Sequence, residues 1–226
     1  MISTPRAVMT ENFIPPIRQP IDRSPTSQTI GSIVRLATHE TVFMEGDDAQ
    51  SLYRVMAGAV RLCKILPGGR RLITDFAFKD DQFGLELDAH HKVTAETIGP
   101  TVLLRTRRCP PMQQEQTEFH DNIVDALRRD LSAAQAHVVI LGHPEARARV
   151  AAFLMSMIRR LSAGHPHTID LPMSRQDIAD HLCLTIETVC RSLSELRRAH
   201  VIDIPSRHRI VIKDVNSLET MTTGEE

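Results

Sequence analysis

The stretch "MSRQDIADHLCLTIETVCRSLSELRRAHVI", Met173 to Ile202, holds two helix-patterned runs with almost no chain between them. This spacing is the tightest constraint in the sequence. Two helices joined by so short a break must pack against each other at a steep angle. Ser174 is placed to cap the first, with Asp177 three residues on as an approximate capping box, and Ile178, Ala179 and Leu182 make its apolar side. Thr185 is placed to cap the second, which leaves only Cys183 and Leu184 as the break. Val189, Leu193 and Leu196 share the face that must turn toward the first helix. Glu187, Cys190, Arg191 and Ser194 share another face, and nothing in the pattern buries them.

A buttressed helix with one polar face outward has helix-turn-helix geometry. Such a helix is about 10–12 Å across and fits a major groove about 12 Å wide. The runs "VIDI" and "RIVIKD", separated by a turn at Pro205 to His208, then read as a wing, with Arg197, Arg198, Arg207 and Arg209 near its ends. The outward chemistry suits base reading. Arg191 can make the bidentate bond to guanine O6 and N7, Glu187 can accept from cytosine N4, and Cys190 lies between them. Thr185, Thr188, Ser174, Arg175 and Arg209 are the candidate phosphate contacts, helped by the free amides at the helix start. The competing reading is a solvated face with an intrahelical Glu187–Arg191 pair. The unbroken helix–turn–helix–wing order favours the first.

The rest of the chain frames this segment. Among 226 residues the net charge is only -1, so a DNA surface has to be local. Residues 1–28, rich in Pro, Ser, Thr and Gln, read as a flexible tail. Over 29–109 the runs "TVFM", "SLYRVMAG", "AVRLCKIL", "RRLITDFAF", "VTAETIG" and "TVLLRT" alternate with turn signals, which predicts an all-β sandwich or barrel. "LPGGRR" reads as a hairpin loop in which Gly68 and Gly69 supply positive φ. From 110 to 142, Ile123, Leu127, Leu131, Ala134, Val138 and Leu141 recur every three or four residues and form a narrow stripe, which predicts a dimerisation helix of about eight turns. Residues 143–215 hold a further amphipathic helix, a short strand and the winged segment, and 216–226 read as a flexible tail. The fold class is α+β. No run of about 18 apolar residues appears, so no membrane partner is expected. The N-terminus has no secretory pattern, and Cys63, Cys109, Cys183 and Cys190 have no metal spacing, so a reduced, cytoplasmic setting is expected. No nucleophile–base pair, phosphate-binding glycine loop or metal cluster suggests an enzyme.

The segment "LPMSRQDIADHLCLTIETVCRSL" resembles the CRP/FNR superfamily of bacterial transcription regulators, and its FixK-like branch above all; "FMEGD", "GAVRL" and "DQFG" extend the likeness into the β region. The resemblance implies an N-terminal β-roll (a cyclic-nucleotide-binding-like jelly roll), a long dimerisation helix and a C-terminal winged helix-turn-helix. It also implies a homodimer on palindromic double-stranded DNA with half-sites resembling TTGAT, and contact with RNA polymerase through a loop such as "SAGHPHT" or "AFKDDQFG". The family's base-reading Glu and Arg fall on Glu187 and Arg191. FNR-like members usually have Ser where this chain has Cys190, and a turn Gly where it has Cys183. A Cys in that turn costs roughly 1 kcal/mol if the backbone is left-handed.

In cyclic-nucleotide-binding relatives a Gly-Glu pair and a following Arg-Ser hold the ligand. Here "FGLELDAHHKVTAETI" offers Glu86 but no Arg before Val93, and Lys92 is a poor substitute. No cysteine precedes Cys63, which argues against an N-terminal iron–sulfur site. His90 and His91 read as an exposed loop. No cofactor is therefore expected; a ligand- or haem-gated sensor is the alternative. Cys190, and with it Cys183, is a candidate redox site: oxidation of Cys190 on the reading face would set negative charge against DNA.

Overall fold

The alternating runs of the first half fold as two four-stranded antiparallel sheets. The strands are β1 (Gly31–Leu36), β2 (Thr41–Phe43), β3 (Ser51–Ala57), β4 (Val60–Ile65), β5 (Arg71–Ala77), β6 (Gln82–Phe83), β7 (Thr94–Thr97) and β8 (Thr101–Arg107). One sheet has the order β1-β8-β3-β6 and the other β2-β7-β4-β5. This is a computed structural model; it describes residues 31–86, 88–107, 113–161 and 167–223, and over 113–123 the helical backbone alone. The predicted tail at 1–28, Cys109 and most of "SAGHPHT" lie outside the described residues.

Phe43, Tyr53, Val55, Val60, Ala77, Phe83, Ala95 and Leu103 fill the space between the sheets. The "LPGGRR" hairpin forms as predicted, with Gly68 and Gly69 at φ 96° and 81°. β1 was missed because its "GSIVRL" pattern is largely exposed; it pairs with β8 along six residues. His91 also departs from expectation. Its ring is buried and stacks on Phe43 at 3.5 Å, 3.7 Å from the Glu86 carboxylate, while His90 stays exposed beside Asp48. The Asp48–His90 bridge holds this loop against the sheet and leaves His91 over Phe43.

The second half is helical, with α1 (Gln113–Gly142), α2 (Ala146–Leu161), α3 (Arg175–Leu182), α4 (Ile186–Arg198) and α5 (Val215–Thr223). A small sheet of order β10-β11-β9 accompanies it, from β9 (Thr168–Asp170), β10 (Ile202–Asp203) and β11 (Arg209–Ile212). The flexible end expected from residue 216 is instead helix α5. Asp214 caps its start through Ser217, and Leu218 is fully buried in the core shared with α2. Val215, Leu218 and Met221 pack it on that core, a set too short in a polar segment to stand out as a helix in the sequence.

The core of the second half runs on into the β-roll. Phe153, Leu154, Met157, Ile169, Leu171, Ile178, Leu182 and Leu196 share one buried cluster with Ile73 and Phe76 of β5. Arg160 of α2 reaches the same sheet. It donates to Asp75, Asp81 and the Phe76 carbonyl and lies over the Phe78 ring.

The break between α3 and α4 is as short as predicted, and Cys183 takes the left-handed conformation at φ 54°, ψ 38°. The amides of Cys183 and Leu184 both donate to the Ala179 carbonyl, so the turn is a helix-terminating motif that glycine would enter without strain. Cys183→Gly is therefore expected to raise stability by up to about 1 kcal/mol in urea unfolding, and a loss would mean that contacts of the half-buried thiol outweigh the strain.

Candidate nucleic-acid interface

α3 begins with a full capping box. The Ser174 hydroxyl accepts from the Asp177 amide, and the Asp177 carboxylate accepts from the Ser174 amide and hydroxyl. Thr185 caps α4 by accepting from the Thr188 amide at 3.3 Å. Val189, Leu193 and Leu196 are buried against α3 and α2, as the pattern predicts. That seating leaves Glu187, Cys190 and Arg191 exposed on one face in the N-terminal half of α4. Ser194 is half-buried and donates to the Cys190 carbonyl, so it belongs to the edge of that face.

The intrahelical pair that would have made this an ordinary solvated face is missing: no ion pair links Glu187 to Arg191 among the described residues. The Glu187 carboxyl is instead held by its own backbone N–H and by the Thr185 hydroxyl, which keep its pKa below the usual carboxylate range. It is an ionised acceptor at neutral pH, as pairing with a cytosine amine requires. Arg191 stays available as a donor fork.

The candidate phosphate contacts divide. Thr185 and Thr188 sit exposed or half-buried at the α4 start, their hydroxyls 3.1 Å apart. Ser174 is engaged in its cap. Arg175 is half-buried and donates to the Arg207 carbonyl at 3.2 Å, which ties the wing turn to α3; burial lowers its pKa. Arg209 already has a partner. Its guanidinium is bidentate on Asp170 at 2.8 and 2.9 Å, so a phosphate would have to displace a carboxylate already seated on it. Cross-strand pairing of β11 with β9, Arg209 opposite Asp170, produces this pair, and the sequence could not show that register.

Of the stripe on α1, Leu131 and Val138 are 61% and 69% exposed, Ala134 is exposed, and Leu127 and Leu141 are half-buried. Val124 and Val139 add to the exposed apolar surface. Ala126 and Ile140, on another side, are buried against the protein's own body. Nothing is described of the Ile123 side chain.

Between α1, α2 and the β-roll lies a cavity of about 440 Å³. Asp75, Asp81, Glu86 and Asp130 line it. Partial burial, and then the charge of Asp75, raises Asp130 to about 6. The two arginines present are engaged: Arg160 by Asp75 and Asp81, and Arg129 by the Asp125 carbonyl and Gln82.

Residues that the sequence pattern did not single out hold α3, and through it α4, from behind. Arg61 of β4 and Arg71 of β5 both reach Asp177, and Arg71 also reaches Asp180. Each pair joins residues more than a hundred positions apart, and an Asp at a polar helix position looks solvated in sequence.

Comparison with known proteins agrees with this geometry. Residues 33–109 match the cyclic nucleotide-binding domain family, and 148–221 match the Crp-like helix-turn-helix domain family. The nitrogen fixation regulation protein FixK of Bradyrhizobium diazoefficiens is 41% identical over 77% of this chain and 76% of its own. The transcriptional activatory protein AadR of Rhodopseudomonas palustris is 38% identical over 76% of this chain and 73% of its own. The solved structure of FixK2 from Bradyrhizobium japonicum superposes with a TM-score of 0.79 at 32% identity, over 85% of this chain and 97% of that one. With a β-roll, a long helix and a winged helix-turn-helix in that order, and with relatives this similar over most of their length, the chain belongs to the CRP/FNR family of DNA-binding transcription regulators, in its FixK-like branch.

Proposed function

We propose that this regulator is a transcription activator that works as a homodimer on a palindromic DNA site, and that it contacts RNA polymerase once bound. The observation that carries the proposal is the exposed trio Glu187, Cys190 and Arg191, unpaired with one another on a helix whose opposite face is fully buried. Activation is supported by relatives such as AadR, a transcriptional activatory protein. Arg191→Ala is expected to cost about 1–3 kcal/mol on the selected site and to relax choice at one base pair, measured by anisotropy on a set of single-base variants. Equal weakening on every sequence would make Arg191 a phosphate ligand instead.

Dimerisation is supported by the apolar stripe. Val124, Leu131 and Val138 recur at sevenfold spacing and stand exposed, and a second copy of the same seam would cover them. Leu131→Asp combined with Val138→Asp is expected to yield monomers in sedimentation and to abolish tight binding to the palindrome. A variant that stays dimeric would place the interface elsewhere.

The cavity supports a regulator that no cyclic nucleotide gates. Its walls carry carboxylates and no disengaged guanidinium among the described residues, so an anionic phosphate would meet repulsion without a bidentate partner. Thiol chemistry on the reading face is the control proposed in its place. Cys190 is exposed and Arg175 lies within electrostatic reach. Peroxide treatment is expected to weaken site-specific binding of the native protein and to spare Cys190→Ser. Loss that persists with both Cys183 and Cys190 replaced by serine would contradict this.

A further inference from the structure

α3 carries none of the base-reading trio, yet polar tethers hold both of its ends. At its start the Asp177 carboxylate is divided between two tasks. One oxygen closes the cap on Ser174, and the other accepts from Arg61 at 3.2 Å and from Arg71 at 2.8 Å. Arg61 and Asp177 are 8% and 2% exposed, so this is a buried junction. One turn on, Asp180 accepts from Arg71 Nε at 2.8 Å and from Gln176 at 2.7 Å. The remaining fork of Arg61 is taken by Glu96 of β7.

The other end of α3 is held as well. His181 stands 3.0 Å from the Ile73 carbonyl, and His137 of α1 stands 2.7 Å from the His181 carbonyl, with the two rings stacked at 3.9 Å. Arg149 of α2 reaches the Leu182 carbonyl. α3 is thus fixed to β4, β5, α1 and α2, and α4 rests on it.

Buried ion pairs are weak evidence for stability, since apolar side chains of similar volume often do as well. Their directional bonds do settle how two surfaces sit on one another, which a continuous apolar contact leaves free to slide. That distinction matters for reading two half-sites. Their centres lie about 34–36 Å apart, and adding one base pair shifts a half-site by about 3.4 Å and turns it by about a tenth of a revolution. A reading helix free to tilt against α1 would accept several spacings.

We propose that Arg71 and Asp180, together with Arg61 and Asp177, are positioning residues for DNA recognition: they set the tilt of α4 relative to α1, and so the half-site spacing that the dimer accepts. The inference rests on the homodimeric, palindrome-reading function proposed above. It deepens that reading by assigning spacing specificity to a junction between the β-roll and α3 that lies away from the base-reading face.

The test uses the full-length chain with Arg71→Gln, Asp180→Asn, the pair together, and Asp180→Glu. Asp177 is left intact because it caps α3. Affinity is measured on the palindrome that the native protein selects, on versions with the spacer changed by one and two base pairs, and on a single half-site, with thermal midpoints recorded alongside. The native protein is expected to prefer one spacing. Arg71→Gln and Asp180→Asn should each lose roughly tenfold on that spacing and little on the others, so the profile flattens while half-site affinity holds. The double variant should be no worse than either single one, and Asp180→Glu should keep most of the preference. Variants that fold and keep the native spacing profile, whether or not affinity falls uniformly, overturn the inference while leaving palindrome reading intact. A native protein with no palindrome preference overturns both.

Discussion

The structure turns on one carboxylate. Asp177 closes the N-terminus of α3 and at the same time anchors that helix to two arginines of the β-roll. A helix end has unsatisfied amides and a partial positive charge, so an acid is favoured there for local reasons alone. Here the same acid also accepts from Arg61 and Arg71, whose remaining donors are taken by Glu96 and Asp180. Burial works against the charge of Arg71, but the bond to Asp180 and the nearby Asp177 more than offset it and raise its pKa above the ordinary value. Secondary structure, domain docking and the seating of the reading helix therefore share one group. Removing its charge would act at all three levels together.

α1 shows a related economy. One side, through Ala126, His137 and Ile140, packs on the protein's own body, and another leaves Leu131, Val138 and Val139 to solvent. A helix with two apolar faces can join its own domains and a second copy at once. Whatever orients α3 against α1 then also orients α4 against that exposed face. His181 adds to this. Burial, and then the proximity of His137, lowers its pKa to about 3, so it stays neutral through the physiological range and keeps its hydrogen bond to β5.

Much of this was legible in the sequence because it depends on local pattern. The cap residues, the apolar triad of α4 and the α1 stripe all follow from spacing within one element, whereas the left-handed turn at Cys183 was suggested only by the resemblance. The trio Glu187, Cys190 and Arg191 could be named as a candidate site because nothing nearby could bury it. What stayed hidden depends on pairing across the fold. Arg61 and Arg71 look like solvated strand residues until α3 lies over them, Arg209 looks free until β9 brings Asp170 beside it, and His91 looks like loop until Phe43 meets it. α5 stayed hidden for a different reason: only Val215, Leu218 and Met221 dock it, a short apolar set in an otherwise polar end.

The account stands or falls on whether the outward face of α4 enters the groove twice per dimer. Hydroxyl-radical footprinting of the reduced protein on its selected site measures this directly. The expected pattern is two protected patches one helical turn apart, related by a twofold axis, both lost when Glu187 and Arg191 are replaced by alanine together. A single asymmetric patch, or protection that survives the double substitution, would contradict it.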